Sequence, residues 1–300
     1  MNDIQNKVTG GSCGCGGGGS CGSERSRREF VRTGLLVFGA IALGRVAGSS
    51  VRAAETHEEA MAVTHPLTGA AARIGVPGRK WIMAIDLAKC DGCGKCSEAC
   101  SKMHFIPPTR EWIKVLRIKD SDKTAPYYFP MPCMQCDNPP CTKVCPVDAT
   151  FKRQDGIVAI DNMRCIGCRL CMAACPYNVR SFNWELTEEA VEAQGAEYSP
   201  ERGYPRKVGT VEKCDFCPDM AAAGKLPACA HICPMGAIYY GDENEDAVTS
   251  GLGETVQLSK LLKDRAGYRH MEELGTKPRV YYLSPKDRMY PAPNESTVHG

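Results

Sequence analysis

The stretch that most constrains this chain runs from Cys165 through Cys168, Cys171 and Cys175 to Pro176. Two residues separate each of the first three cysteines, three separate the third from the fourth, and a proline follows. Thiolates at that spacing wrap three corners of an iron–sulfur cube, and the fourth, beside the proline, is left to ligate a second cube. The frame recurs, and the groups are numbered here in chain order. The first is Cys90, Cys93, Cys96 and Cys100, with Ser101 in place of the proline, which loosens only the turn. The second is Cys133, Cys136, Cys141 and Cys145, followed by Pro146; the stretch above is the third. The fourth is Cys214, Cys217, Cys229 and Cys233, followed by Pro234, with an insert that stretches the spacing between Cys217 and Cys229 to eleven residues. Sixteen of the 19 cysteines therefore fall into four tetrads, as four [4Fe–4S] clusters require. Disulfide frameworks have no reason to keep these gaps, and zinc sites usually take two Cys pairs across a spacer.

Composition agrees. The hydrophobic share is 43% in 300 residues, slightly low for a globular chain, while cysteine is abundant. Inorganic cubes that replace part of the core reconcile the two. A formal net charge of +2 gives no argument for a nucleic-acid partner. No apolar run reaches the ~18 residues of a membrane span, so any membrane contact is expected through a partner.

Residues 1–54 read as an export segment. Arg27 and Arg28 are paired, a short apolar run spans residues 34–44, and small residues appear at Ala53 and Ala54. A basic start, an apolar middle and a small-residue end describe a signal, and the twin arginines fit the Tat route. Export of a folded chain suits clusters inserted in a reducing cytosol. The expected location is the periplasmic side of the cytoplasmic membrane. Cys13, Cys15 and Cys21 lie ahead of the arginines in a Gly-rich stretch without cluster spacing, and leave with the leader. Residues 55–80 read as an extended linker, 81–245 as the iron–sulfur core, and 246–300 as a C-terminal helix, around Leu258–Lys263, with an extended tail.

Two internal matches organise the core. Ala84, Ile85 and Asp86 stand before Cys90 as Ala159, Ile160 and Asp161 stand before Cys165, and both loops place glycine before the second cysteine, at Gly92 and Gly167. The second and fourth groups resemble each other in the same way. Residues 149–160 read as a hairpin around Asp155 and Gly156. It joins the second group to the third in one lobe. The first and fourth groups then share the other lobe, closed by pairing of residues 237–240 with the strand expected at 81–86. The predicted fold class is α+β: two pseudo-symmetric bacterial ferredoxin-like lobes, two [4Fe–4S] clusters in each, with loop and helix inserts. Residues 111–118 alternate as a strand, and residues 187–194 read as a short helix.

With these motifs in place, residues 80–245 resemble the four-cluster electron-transfer B subunits of molybdopterin oxidoreductase complexes. That family includes the B subunits of dimethyl sulfoxide, tetrathionate and polysulfide reductases and the NrfC-like proteins; residues 277–283 look family-like as well. The resemblance implies crossed ligation. Cys90, Cys93 and Cys96 share a cube with Cys233, and Cys214, Cys217 and Cys229 share one with Cys100. Cys133, Cys136 and Cys141 go with Cys175, and Cys165, Cys168 and Cys171 with Cys145. Some relatives replace the cysteine at the position of Cys168 and hold a three-iron cluster; here it is present. The implied partners are a molybdopterin-type catalytic subunit and either a quinone-reactive NrfD-type membrane subunit or a c-type cytochrome.

No catalytic constellation accompanies the cysteines: no phosphate loop, nucleophile elbow or helix-borne His pair. The expected role is electron relay without substrate chemistry. Lys89, Lys95, Lys102, Lys143, Arg164, Arg169 and Lys213 are candidates for tuning cluster potentials, most of them as ordinary surface charges. Trp81, Trp112, Trp184, Phe216 and Tyr177 are candidate relays, with packing the simpler role; His104 and His231 read as packing or solvent-facing. Two alternatives stand. One is the same module in a quinol-oxidising complex without an active pterin centre. The other is a cysteine-rich zinc-binding or structural exported protein, which would be colourless.

Overall fold

The computed structural model describes residues 70–119, 121, 124–188, 198–200 and 206–286. The export segment, Cys13, Cys15 and Cys21, most of the 55–80 segment, most of the helix expected at 187–194 and the end of the tail lie outside the described residues.

Strand β1 (Trp81–Asp86) is the centre of the main sheet, and its alternation explains why. Met83 and Ile85 point into one hydrophobic cluster with Phe216, Tyr240 and Tyr282. Ile82 and Ala84 point into a second, with Tyr239, Val248 and Leu258. A strand covered on both faces is apolar throughout, as this one is. It runs antiparallel to β8 (Ile238–Asp242), matching the expected pairing with residues 237–240. Strands β9 (Ala247–Ser250) and β10 (Thr255–Gln257) extend the sheet beyond β8. On the other side β12 (Val280–Leu283) lies parallel to β1, and β11 (Tyr268–Arg269) completes the order β10-β9-β8-β1-β12-β11.

The sheet therefore takes in residues past 245, which the sequence assigned to a helix and tail. The helix is present, as Leu258–Asp264, and covers the second face through Leu258. The strands around it are two to four residues long and half polar, too short to carry a period-2 signal. Parallel pairing of β12 needs a long crossover, which leaves no local trace.

Three two-stranded sheets complete the fold: β2 (Lys114–Ile118) with β3 (Tyr127–Met131), β4 (Thr150–Lys152) with β5 (Val158–Ile160), and β6 (Ser181–Phe182) with β7 (Val211–Glu212). The second is the hairpin expected around Asp155 and Gly156. Helix α1 (Ala70–Ile74) falls in the segment read as extended. Arg73 fixes it: its guanidinium pairs with Asp148 at 2.7 Å and lies 3.9 Å over the Phe151 ring.

Helices α2 (Lys95–Met103), α3 (Pro140–Lys143), α4 (Leu170–Ala173) and α6 (Ala228–Ile232) each carry the third cysteine of a group, buried. Helix α5 (Pro218–Ala222) lies in the insert of the fourth. The main core includes Cys96, Cys100, Cys133, Cys136, Cys214 and Cys229 beside Met83, Trp112 and Phe129. Thiols thus stand where a larger apolar core would otherwise be. No helix among the described residues is long and apolar enough to cross a membrane.

Candidate metal centres

Each cysteine loop is shaped by backbone more than by side chains. Asp86 and Asp161 open the first and third loops identically. The Cys90 and Cys165 amides donate to the Asp86 and Asp161 carbonyls, at 3.2 and 3.0 Å. The carboxylates accept from the amides of Ala88 and Met163, both at 3.0 Å. These are Asx turns, and they account for the repeated Ala-Ile-Asp. The residue before the second cysteine has positive φ in all four groups: Gly92, Gln135, Gly167 and Phe216. In the three groups with a Cys-Pro, so does the third residue after the cysteine, at Asp148, Asn178 and Gly236. Such turns aim amides back at sulfur: Ala149 donates to Cys145 Sγ at 3.2 Å and Ala237 to Cys233 Sγ at 3.3 Å.

The structure gathers the sixteen thiols into four sets, none of them in disulfides. Cys90, Cys93, Cys96 and Cys233 line one hollow. Cys133, Cys136, Cys141 and Cys175 line a second, and Cys145, Cys165, Cys168 and Cys171 a third. With open solvent included, these measure about 330, 320 and 290 Å³. Cys100, Cys214, Cys217 and Cys229 lie within electrostatic reach of one another in the interior. The sets form a sequence. Cys96 neighbours Cys100 and Cys229, Cys214 neighbours Cys133, and Arg180 lies among Cys133, Cys175, Cys141 and Cys171. Of these sixteen only Cys93 and Cys168 are exposed, one in each terminal set.

Burial pushes the Cys90 thiol up to about 12, Cys96 to about 11, and Cys136 and Cys214 to about 12. It raises Cys100, Cys217 and Cys229 well above the ordinary value. At Cys145 burial also acts upward, but the amides of Thr150, Val147 and Ala149 outweigh it and the thiol lies below its usual value. Buried thiols of this kind ionise only when a metal displaces the proton.

Arg180 supplies an independent test of whether such a group fits. It is 5% exposed, its Nη2 has no hydrogen-bond partner, and among the described residues no carboxylate pairs with it. An unpaired buried guanidinium is costly unless anionic charge surrounds it. Four thiolates on each side, holding an iron–sulfur cube, are that charge. The residues present fit the group.

The other candidates divide. Lys213 is buried and donates to the carbonyls of Cys214, at 2.9 Å, and Val158. Lys89 reaches Tyr239 Oη at 2.6 Å, Lys143 reaches Asn138 at 2.6 Å, and Arg169 stacks over Phe182 and Trp184. Trp81 stacks on Tyr240 and Trp112 packs on His104, while Trp184 is largely exposed. His104 is buried, with Nε2 3.4 Å from Cys217 Sγ. Neither Arg180 nor this contact was singled out from the sequence: Arg180 follows Cys175 by only five residues, but its burial and its approach to Cys133 and Cys141 come from folding, and His104 meets Cys217 from 113 residues away.

The comparisons with known proteins agree with this geometry. Models described as 4Fe-4S dicluster domains match residues 89–149 and residues 124–193 with 200–243. The B subunit of selenate reductase from Mesobacillus selenatarsenatis is 41% identical over 218 residues, 68% of this chain and 72% of that protein. The B subunit of tetrathionate reductase from Salmonella typhimurium is 32% identical over 272 residues, 88% of this chain and 90% of that one. The iron-sulfur cluster-binding subunit of menaquinone reductase from Nitratidesulfovibrio vulgaris is 37% identical over 239 residues, 69% and 90% of the two chains. The chain belongs to this family of 4Fe-4S dicluster iron–sulfur subunits and is a protein of four [4Fe–4S] clusters.

Proposed function

We propose that this chain is the electron-transfer subunit of an oxidoreductase complex and performs no substrate chemistry itself. The single observation that carries the reading is the succession of four thiol sets with one exposed cysteine at each extreme, Cys93 and Cys168. A one-electron carrier that changes charge with little rearrangement is what an iron–sulfur cube supplies. The chain's own residues hold the four carriers in succession, keep water from the inner sets, and open the outer sets to partners. The ligand sets are the four groupings of thiols above, and the two pairs of sets make two ferredoxin-like lobes. The hairpin β4–β5 joins the second and third groups, and β1 with β8 joins the first and fourth.

One partner is a molybdopterin-type catalytic subunit, as the kinship with the iron–sulfur subunits of selenate and tetrathionate reductases supports. The other is a quinone-reactive membrane subunit of the NrfD type or a c-type cytochrome. The complex sits on the periplasmic side of the cytoplasmic membrane, reached through the twin-arginine segment. A second reading, a quinol-oxidising complex without a pterin centre, draws support from the relative named as an iron–sulfur subunit of an Hdr-like menaquinol oxidoreductase.

Anaerobic purification of the native complex tests this. The expected preparation is brown, with about sixteen irons per chain, and carries a co-migrating molybdopterin subunit. A quinone-reactive partner without molybdenum would select the second reading. A colourless, zinc-loaded chain would reject both.

A further inference from the structure

The four sets share a loop geometry but not an electrostatic environment. In the first and fourth groups the residue after the first cysteine is a carboxylate, Asp91 or Asp215, accepting from the amide of the second cysteine at 3.1 and 2.8 Å. In the second and third groups that residue is Met134 or Ile166. The buried cations are arranged the other way. Arg180 lines the hollow of Cys133, Cys136, Cys141 and Cys175 and donates to Thr150 in the wall of the hollow of Cys145, Cys165, Cys168 and Cys171, so it lies between the two sets. Lys213 donates to the carbonyl of Cys214 at 2.9 Å and to that of Val158, which lines the Cys133 hollow, so it lies between that set and the set of Cys100, Cys214, Cys217 and Cys229. Both side chains are at most 5% exposed, and among the described residues neither has a carboxylate partner.

We propose that Arg180 and Lys213 hold the cluster on Cys133, Cys136, Cys141 and Cys175 at the highest potential of the four. This rests on the ligand sets proposed above. Adding an electron makes a cluster more negative, and a fixed cation in a low-dielectric interior favours that state. The Cys133 set alone is flanked by both cations. The Cys100 set has Lys213 but also Asp215 against Cys214 and Cys217, and the Cys90 set has Asp91 and neither of the two cations. The Cys145 set has Arg180 alone among the two. Arg180 and Lys213 are therefore positioning residues for charge, and electrons rest in the interior of the relay.

The test is a potentiometric titration of the native complex followed by electron paramagnetic resonance, with iron content measured alongside. Arg180→Gln lowers two signals and Lys213→Met lowers two. One signal is common to both variants, and it is the highest in the unaltered protein. The shift is at least tenfold in the reduction equilibrium, about 59 mV for a one-electron couple. Asp215→Asn raises one of the lower signals and leaves the highest in place. If Arg180→Gln loses iron, Arg180→Lys restores it with the highest signal unmoved, and Lys213→Met decides alone. A highest signal unmoved by Lys213→Met at full iron content overturns the proposal, as does a common signal that is not the highest. An unaltered protein well short of sixteen irons would instead remove the ligand sets on which the proposal stands.

Discussion

The first and third cysteine groups open in the same way and are supported differently. Both follow an Asx turn, both place glycine before the second cysteine, and both expose that cysteine. The first hollow rests on the six-stranded sheet, with Ile238 of β8 in its wall. Its Asp86 is fully buried and paired with Arg265. The third hollow has no such sheet; Val211 of the two-residue strand β7 lines it, and the Gly209 carbonyl crowds Gly167. Outside, a polar groove with Ser97, Glu98, Arg110 and Glu111 adjoins the first group, whereas Ile166, Leu170, Trp184 and Val208 are exposed around the third. One motif therefore serves two ends with different mechanical support and different surfaces.

The largest expected difference is at the glycines. Both have positive φ, +77° at Gly92 and +71° at Gly167, which costs an L-residue about 1–2 kcal/mol. At Gly167 a Cβ would also overlap the Gly209 backbone carbonyl, which cannot move aside locally. At Gly92 it meets the ring of Tyr128, a half-buried side chain whose rotation relieves the overlap without moving backbone, at some cost in packing. Gly167→Ala is expected to lose about a quarter of the iron, and Gly92→Ala to keep nearly all of it; equal losses would erase the mechanical contrast. Next comes the turn. Asp86→Ala removes charged hydrogen bonds worth about 1.5–3 kcal/mol, read as a lower midpoint in anaerobic thermal unfolding. Asp86→Asn keeps the Ala88 bond and costs less, since the Arg265 side chain it unpairs is one-third exposed.

A smaller effect separates the surfaces. Trp184→Ser with Val208→Asp is expected to leave iron content and cluster potentials unchanged and to slow electron exchange with the partner at the third-group end alone. Unchanged exchange at that end, measured by stopped-flow, would detach the apolar rim from partner contact. The smallest effect lies at the sheet edge. Asp246 accepts from Ser259 Oγ at 2.6 Å and from its amide at 2.7 Å, and its carboxyl lies below the ordinary 3.8. A depressed folded value contributes stability that is present above the ordinary one and fades as pH falls through the folded one. Protection factors for hydrogen exchange across residues 247–264, taken against intrinsic rates at each pH, should therefore fall on acidification, and Asp246→Asn should abolish most of that pH dependence while the third-group end stays unaffected.

Much of the candidate site was legible because cluster chemistry demands fixed short gaps between thiols, and those gaps are local. The Asp-Gly hairpin at 154–157 and the strand at 81–86 were legible for the same reason, since turn chemistry and alternation need no distant partner. The segment around Ala70–Ile74 was not: its helix is held by Arg73 reaching Asp148, an attachment to a group far along the chain.

Thiol spacing, written in the sequence alone, determined that this chain carries four iron–sulfur clusters and belongs with the electron-carrying subunits. Tertiary structure decided which thiols face one another, which of the sixteen cysteines lie exposed, and where Arg180 and Lys213 come to rest between sets. The physical reason is range. The short gaps between thiols are written locally, whereas the fourth thiol of each set, and the burial and charge around it, depend on what the rest of the chain folds against it.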